Sequence, residues 1–513
     1  MSSDLAATPT PPPRPKNAIV ILLDSLNRHM LGAYGGREFA TPNLDRFAAR
    51  SLRFEKHYTG SLPCIPARHD LLCGALDFLW KPWGSIEVWE HSITAHLRAA
   101  GVTSMLISDH PHLFETGGEN FHTDFSAWDY QRGGEADPWK TRPDPSGLGA
   151  PLISQPGREP YERSRSYFRG EDDFPGPRTM AAAASWIEDN AGFHDRFFLF
   201  VDEFDPHEPF DTPEPYASMY DDTWHGPHLI WPPYVTAALQ RGVLTERQAH
   251  QIRASYGGKL TMIDRWFGRI IDAIDRKSLW ADTAVIVCTD HGHYLGEKEI
   301  WGKPAVPVYE PLGHIPLMIA WPGIEAGTTT ALSTNVDIFA TLVDLFGVTP
   351  EHRTHGRSLM PVIIGAAPAV REYALSGVWG REVHVIDAET KYARAPEGPN
   401  APLSMWSNRW SSMPIHHAAK DYRFPVPDGR AYLDRMPGSP VPVIRQPYVA
   451  GDLLPYWAYG KFSGNHLYNL RNDPAEDENL AGSVAEKDAA DKLRTALLDV
   501  DAPDDQLARL GMQ

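Results

Sequence analysis

Four short runs of almost uninterrupted apolar residues each stop at a polar cluster, and this pattern constrains the fold more than any other feature of the chain. Ala18-Ile19-Val20-Ile21-Leu22-Leu23 stops at Asp24, and Ser104-Met105-Leu106-Ile107-Ser108 stops at Asp109-His110-Pro111-His112. Phe197-Phe198-Leu199-Phe200-Val201 runs into Asp202 and then Asp205-Pro206-His207. Ala284-Val285-Ile286-Val287-Cys288 runs into Thr289-Asp290-His291-Gly292. A strand without polar alternation is buried on both faces, as in a parallel sheet covered by helices. Ligands of such sheets bind beyond the carboxyl ends of the strands, which is where these clusters fall.

Helical segments lie between the runs. Thr41 can cap a helix with Pro42 in its first turn and Leu44, Phe47 and Ala48 on one face. Leu260, Ile263, Phe267, Ile270, Ile271 and Ile274 make a core stripe at helical spacing, and Ile338, Leu342, Leu345 and Phe346 make another. Strands alternating with helices predict an α/β domain with a mostly parallel central sheet sandwiched by helices. The composition shifts near Gly365-Ala366-Ala367-Pro368, beyond which Pro-, Trp- and Tyr-rich segments show weaker periodicity. We therefore divide the chain into a flexible Pro-rich tail (1–16), a main α/β domain (17–368) and a smaller C-terminal α+β subdomain (369–513). The stretch from about 129 to 180, rich in Gly, Pro, Arg and Asp, reads as loop.

A net charge of −18 argues against nucleic acid or an anionic membrane as partner. An anionic substrate has to be drawn in by a local positive cluster. Three cysteines in 513 residues do not make a disulfide framework. With no signal peptide and no apolar stretch long enough to span a membrane, the expectation is a soluble cytoplasmic protein. Oligomeric state, a homo-oligomer included, is not legible.

The run Leu62-Pro63-Cys64-Ile65-Pro66-Ala67-Arg68-His69-Asp70-Leu71-Leu72-Cys73-Gly74 describes a strand-to-helix junction. Pro66 suits a first helical turn, where its missing N–H costs nothing. Cys64 then lies at a helix N-terminus, where unpaired N–H groups and the macrodipole favour an anion. Arg68 projects from the first turn with a permanent charge and a forked donor set. The arrangement suits a nucleophile facing a small oxyanion. Asp24, Asp290 and His291 end two apolar strands, and two carboxylates with an imidazole suit a divalent cation.

Cys-x-Pro-Ala-Arg followed by Leu-Leu-x-Gly resembles the sulfatase signature, whose cysteine is oxidised after synthesis to formylglycine. Leu467-Tyr468-Asn469-Leu470-Arg471-Asn472-Asp473-Pro474, with Glu476, Asn479 and Leu480, resembles the close of that family, so the resemblance runs from Asn17 to Leu480. It implies an alkaline-phosphatase-like fold with a C-terminal antiparallel sheet, and a hydrolase cleaving sulfate esters through a gem-diol nucleophile derived from Cys64. A thiol would make a stable adduct with sulfate. A hydrated aldehyde has a second hydroxyl whose deprotonation expels sulfate and regenerates the aldehyde.

The resemblance further implies one divalent metal (Ca2+ in most relatives, Mn2+ as the alternative) held by Asp24, Asp290, His291 and the group at Cys64. Relatives carry a second aspartate after the first; here it is Ser25, leaving Ser25, Asn27 or water to complete the shell. His207, in Pro206-His207-Glu208-Pro209-Phe210, matches the histidine on the leaving side of the sulfate, and Lys303 matches a sulfate-binding lysine. His207 is thus the candidate general acid, and Arg68 and Lys303 the groups that stabilise charge on the transferring oxygens. His110 and His112 stand where relatives have a Lys-x-His pair; one of them could contact substrate.

The implied partners are a small anionic ester and a formylglycine-generating maturation enzyme. The second reading is a phosphonate monoester or phosphodiester hydrolase with the same machinery, since those relatives also lack paired aspartates. A non-catalytic binding protein is disfavoured because the central residues are intact.

Overall fold

The computed structural model describes residues 14–142, 159–410 and 427–513, the last span without 456, 459 and 461. Most of the tail expected at 1–16 and the middle of the loop expected at 129–180 lie outside the described residues.

The central sheet has eight strands: β1 (Asn17–Leu23), β2 (Leu52–Tyr58), β3 (Thr103–Ser108), β4 (Ala127–Tyr130), β5 (Phe197–Glu203), β6 (Thr283–Cys288), β7 (Leu317–Ala320) and β8 (Gly327–Thr334). Their order is β8-β2-β7-β6-β1-β5-β3-β4. Every neighbouring pair is parallel except those of β7, which runs antiparallel to β2 and β6. The four apolar runs are therefore β1, β3, β5 and β6, as the buried-strand pattern requires. Register sets Val20 opposite both Phe200 and Ile286. The strands thus end level, and Asp24, Asp202 and Asp290 emerge at one edge.

Helices α1 (Pro42–Ala48), α2 (Cys64–Cys73), α3 (Pro175–Asn190), α4 (Glu246–Arg276), α5 (Asn335–Phe346) and α6 (Ala485–Asp499) accompany the sheets. Alternate β1 residues divide between two cores. Ile19, Ile21 and Leu23 pack with the α3 and α4 stripes, Met180, Ile187, Leu260, Ile263 and Phe267 among them. Ala18, Val20 and Leu22 pack with α2 and α5 through Ile65, Leu71, Ile338, Phe339 and Leu342. Each such side chain, fully withdrawn from water, contributes roughly 1.5–3 kcal/mol.

Two local expectations are corrected. Thr41 does not cap α1; its hydroxyl accepts from the Gly32 N–H, and Asp264 on α4 takes the Asn43 and Leu44 N–H groups at 3.0 and 2.8 Å. A carboxylate borrowed from a packed helix competes better than a local hydroxyl for the positive end of α1. The stretch 129–180 is not loop throughout: it holds the end of β4, the helix Glu159–Arg165 and the start of α3.

Beyond residue 368, the strands Ala374–Val378, Val383–Ile386, Thr390–Arg394 and His466–Asn469 form an antiparallel sheet covered by α6. Its edge pairs in parallel with Ser61–Leu62, the two residues that lead into Cys64. Glu476, in the closing motif, is buried against Lys391 at 2.9 Å and accepts from the Glu310 N–H, so the motif ties this sheet to the main domain. Among the described residues, no helix is long and apolar enough to cross a membrane.

Candidate active site

Cys64 is the first residue of α2, with Pro66 in the same turn. Its Sγ lies 3.3 Å from Nε2 of His291, and ligand atoms of Asp24, Cys64, Asp290 and His291 all fall within 4.8 Å of one another. The ring of His291 is oriented by its own chain: Nδ1–H donates to the Gly292 carbonyl at 2.8 Å, which leaves Nε2 a lone pair facing the cluster. Gly292 is required by close approach, because a Cβ there would stand 2.0 Å from the Pro311 carbonyl oxygen.

Arg68 does not project toward an oxyanion as the sequence suggested. Its Nε and Nη2 grip Asp202 in a fork at 2.8 and 2.7 Å, and Nη1 bonds Asp290 at 2.7 Å and the Cys64 carbonyl at 3.1 Å. Nη2 also lies 2.9 Å from Asp24. Four of the five N–H groups of the guanidinium are thus hydrogen-bonded, the remaining Nη2 hydrogen faces Asp24 as an ion pair, and the side chain is wholly buried. Arg68 is the hub that brings three strand-end carboxylates together.

Those carboxylates outnumber the guanidinium. Against burial, which favours the neutral acid, Arg68 holds Asp24 well below the usual carboxylate range, whereas burial and the charge of Asp24 push Asp290 up. Oδ2 of Asp24 accepts no hydrogen bond. A buried carboxylate oxygen that is ion-paired but accepts no hydrogen bond, a second crowded carboxylate and an imidazole lone pair fit a divalent cation.

Ser25 bridges the carboxylates and Lys303. Its hydroxyl donates to Asp24 at 2.8 Å and accepts from Nζ of Lys303 at 3.2 Å, while its N–H donates to Asp290. Asn27, the other candidate for the shell, donates from Nδ2 to the His293 carbonyl and accepts the His29 N–H on Oδ1.

Lys303 also donates to Nε2 of His207 at 2.7 Å, and Nδ1–H of His207 donates to the Glu208 carbonyl at 2.7 Å. Burial, with Lys303 alongside, lowers His207 to about 4 despite the nearby Glu208 carboxylate. Glu208 keeps Lys303 cationic against its own burial. The two histidines of Asp109-His110-Pro111-His112 separate. His110 faces the site, with Nε2 3.4 Å from Asp24. His112 is held between Glu115 and Glu135, the latter at 3.1 Å.

Sequence reasoning missed Asp202, Glu208 and His293. Asp202 carried the same signal as Asp24 and Asp290, an acid directly after a buried run. Glu208 and His293, 3.2 Å apart, meet through loops and carry no such signal.

Beside Lys303 and His291 opens a cavity of about 180 Å³, walled by Leu62, Val306, Val308, Leu312 and Val378 with Tyr234 and Trp457. Arg381 lines it as well, and no carboxylate among the described residues does.

A sulfatase family model matches residues 16–348, which span all eight strands of the central sheet and every residue of this cluster. The chain belongs to the sulfatase family. Among the relatives of this chain is a choline-sulfatase of Rhizobium meliloti (strain 1021), 27% identical over 410 residues, 73% of this chain and 77% of that protein. A multifunctional alkaline phosphatase superfamily protein of Trinickia caryophylli is 26% identical over 422 residues, 69% of this chain and 78% of its own. In fold, the sulfatase chain matches the phosphonate monoester hydrolase of Agrobacterium radiobacter with a TM-score of 0.64 at 19% identity, over 95% of this chain and 96% of that one. The alkaline-phosphatase-like architecture expected from the sequence is the one observed.

Proposed function

We propose that this sulfatase hydrolyses sulfate esters of small apolar alcohols or phenols, using a formylglycine formed from Cys64 beside a divalent metal held by Asp24, Asp290 and His291. The observation that carries this reading is the placement of Cys64 at the start of α2, in contact with His291 and within 4.8 Å of Asp24 and Asp290. The metal supplies Lewis acidity toward the transferred group, and formylglycine supplies a hydroxyl nucleophile that can later collapse.

The chain's own residues do the rest. Arg68 holds Asp24, Asp202 and Asp290 in place and reaches no substrate oxygen. Lys303, which lines the cavity beside His291, meets the charge that builds on the transferring oxygens. The Lys303–His207 pair lies on one path for returning a proton to the departing oxygen, with Nζ–H as the immediate donor. His110 borders Asp24 on the other side. The apolar cavity receives the alcohol: among the described residues its walls are aliphatic and aromatic, with few polar groups for the hydroxyls of a sugar.

Ser25 favours a second reading, cleavage of phosphonate monoesters or phosphodiesters, which the resemblance associates with the missing second aspartate. Both substrate classes bring a singly charged group to the same cations. Turnover of 4-nitrophenyl sulfate against 4-nitrophenyl phenylphosphonate by one mature preparation decides between them. Faster kcat/KM on the sulfate supports the first reading, faster kcat/KM on the phosphonate the second, and no hydrolysis of either by metal-loaded, formylglycine-bearing protein overturns both.

A further inference from the structure

Helix α2 carries a second set of metal-ligating side chains that the proposed reaction does not use. His69 and Cys73 are spaced i, i+4 and so share one face of the helix. Glu90 joins them from the following segment, its Oε1 2.8 Å from Nε2 of His69. The ligand atoms of His69, Cys73 and Glu90 all lie within 4.8 Å of one another, and all three residues are buried.

The polar atoms here converge without satisfying one another. His69 is 1% exposed, yet neither ring nitrogen makes a hydrogen bond of good geometry, and Oδ2 of Asp77 makes none. Lys81 does not complete the cluster. Its bond goes to the Ser85 carbonyl at 2.6 Å, while Asp77, Glu87 and Glu90 stand 3.7, 3.8 and 3.6 Å away. Three carboxylates thus surround one ammonium in a site with almost no water. Unpaired buried polar atoms are costly, so a group that fills the centre is favoured.

The donor set selects the kind of group. A thiolate, an imidazole and one carboxylate make a borderline-soft set that suits Zn2+ far better than Ca2+ or Mg2+. Asp77, 3.9 Å from Nδ1 of His69, stands where an outer carboxylate orients a ligating imidazole. A cavity of about 280 Å³, lined by His69, Asp77, Trp80, Trp89 and Glu90, reaches the cluster and leaves a fourth position open.

We propose that His69, Cys73 and Glu90 form a second metal site, of the zinc class, with its open position turned toward this cavity. It shares no residue with Asp24, Asp290 and His291, and stands whether or not the proposed hydrolysis does.

The test uses full-length Cys64→Ala protein, which removes the thiol nearest the first cluster, stripped of metal and titrated with Co2+. The expected result is a thiolate-to-cobalt charge-transfer absorption in the near ultraviolet that saturates at one equivalent. It should persist when Asp290→Asn is added and disappear when Cys73→Ser is added. Absence of the band in the Cys64→Ala protein overturns the proposal without any change at the proposed site, leaving His69 as a protonated partner of Glu90. A band that survives Cys73→Ser, or that is lost with Asp290→Asn, overturns it too, by assigning the thiolate to Cys288 or the metal to the first cluster.

Discussion

The ammonium of Lys303 donates to Nε2 of His207 across 2.7 Å, and its charge joins burial in keeping that imidazole neutral. With Nδ1–H turned to the Glu208 carbonyl, His207 is a neutral imidazole whose free lone pair is already taken. In the proposed reaction it acts through Lys303, not as an independent acid. Lys303→Met should lower kcat and kcat/KM together by roughly 10²-fold or more, because the charge is needed as the transferring oxygens become negative. It should also shift the acid limb of the pH–rate profile upward from about 4, since burial alone then holds His207 down. An acid limb that does not move in Lys303→Met would mean that His207 does not titrate in the reaction.

Arg68 is a matter of architecture first. Arg68→Lys keeps the charge but loses the fork to Asp202 and the reach to Asp24 and Asp290. Breaking a buried charge cluster typically costs about 3–5 kcal/mol. Arg68→Lys should therefore lower the thermal midpoint and weaken metal uptake, as read by calorimetry and metal analysis. A variant that folds and binds metal normally while losing activity would return Arg68 to the substrate.

The histidines after β3 make opposite predictions. His110→Ala should reduce kcat/KM with little effect on stability. His112 is raised to about 10: burial opposes its charge, but Glu115 and Glu135 outweigh it. Its native value lies above the unfolded value near 6.5, so its contribution is complete below pH 6.5 and is lost as pH rises through about 10. His112→Gln should cost roughly 3–5 kcal/mol at pH 6 and little at pH 10.5. Equal destabilisation at both pH values in denaturant titrations would mean that the ion pairs contribute nothing.

The cavity beside Lys303 predicts specificity. Val378→Phe narrows the space from its apolar wall. It should depress kcat/KM for a 4-nitrophenyl ester at least tenfold more than for a methyl ester of the same acid. Equal losses would place the alcohol elsewhere.

Much of this was legible in the sequence because the signals were local. A buried run followed by an acid identifies β1, β5 and β6 and the place where Asp24 and Asp290 meet. The cysteine motif places Cys64 at the start of α2. What could not be read was the direction of side chains whose partners come from distant strands. Arg68 faced either an oxyanion or the protein's own carboxylates, and the choice depended on Asp202, 134 residues away. Thr41 looked like a cap because its competitor, Asp264, arrives from α4. His110 and His112 share a segment, and only the positions of Glu115 and Glu135 tell them apart.

The pairing of Ser61–Leu62 with the strand Ala374–Val378 imposes an order of events on the life of the chain. Ser61 and Leu62, one residue removed from Cys64, are held by a strand made more than 300 residues later, and Cys64 itself is only 4% exposed. While that partner is unmade the segment lacks its sheet neighbour, and the sulfur is more open than in the finished fold. If Cys64 is converted by another enzyme as proposed, that enzyme meets its target most easily before this pairing forms.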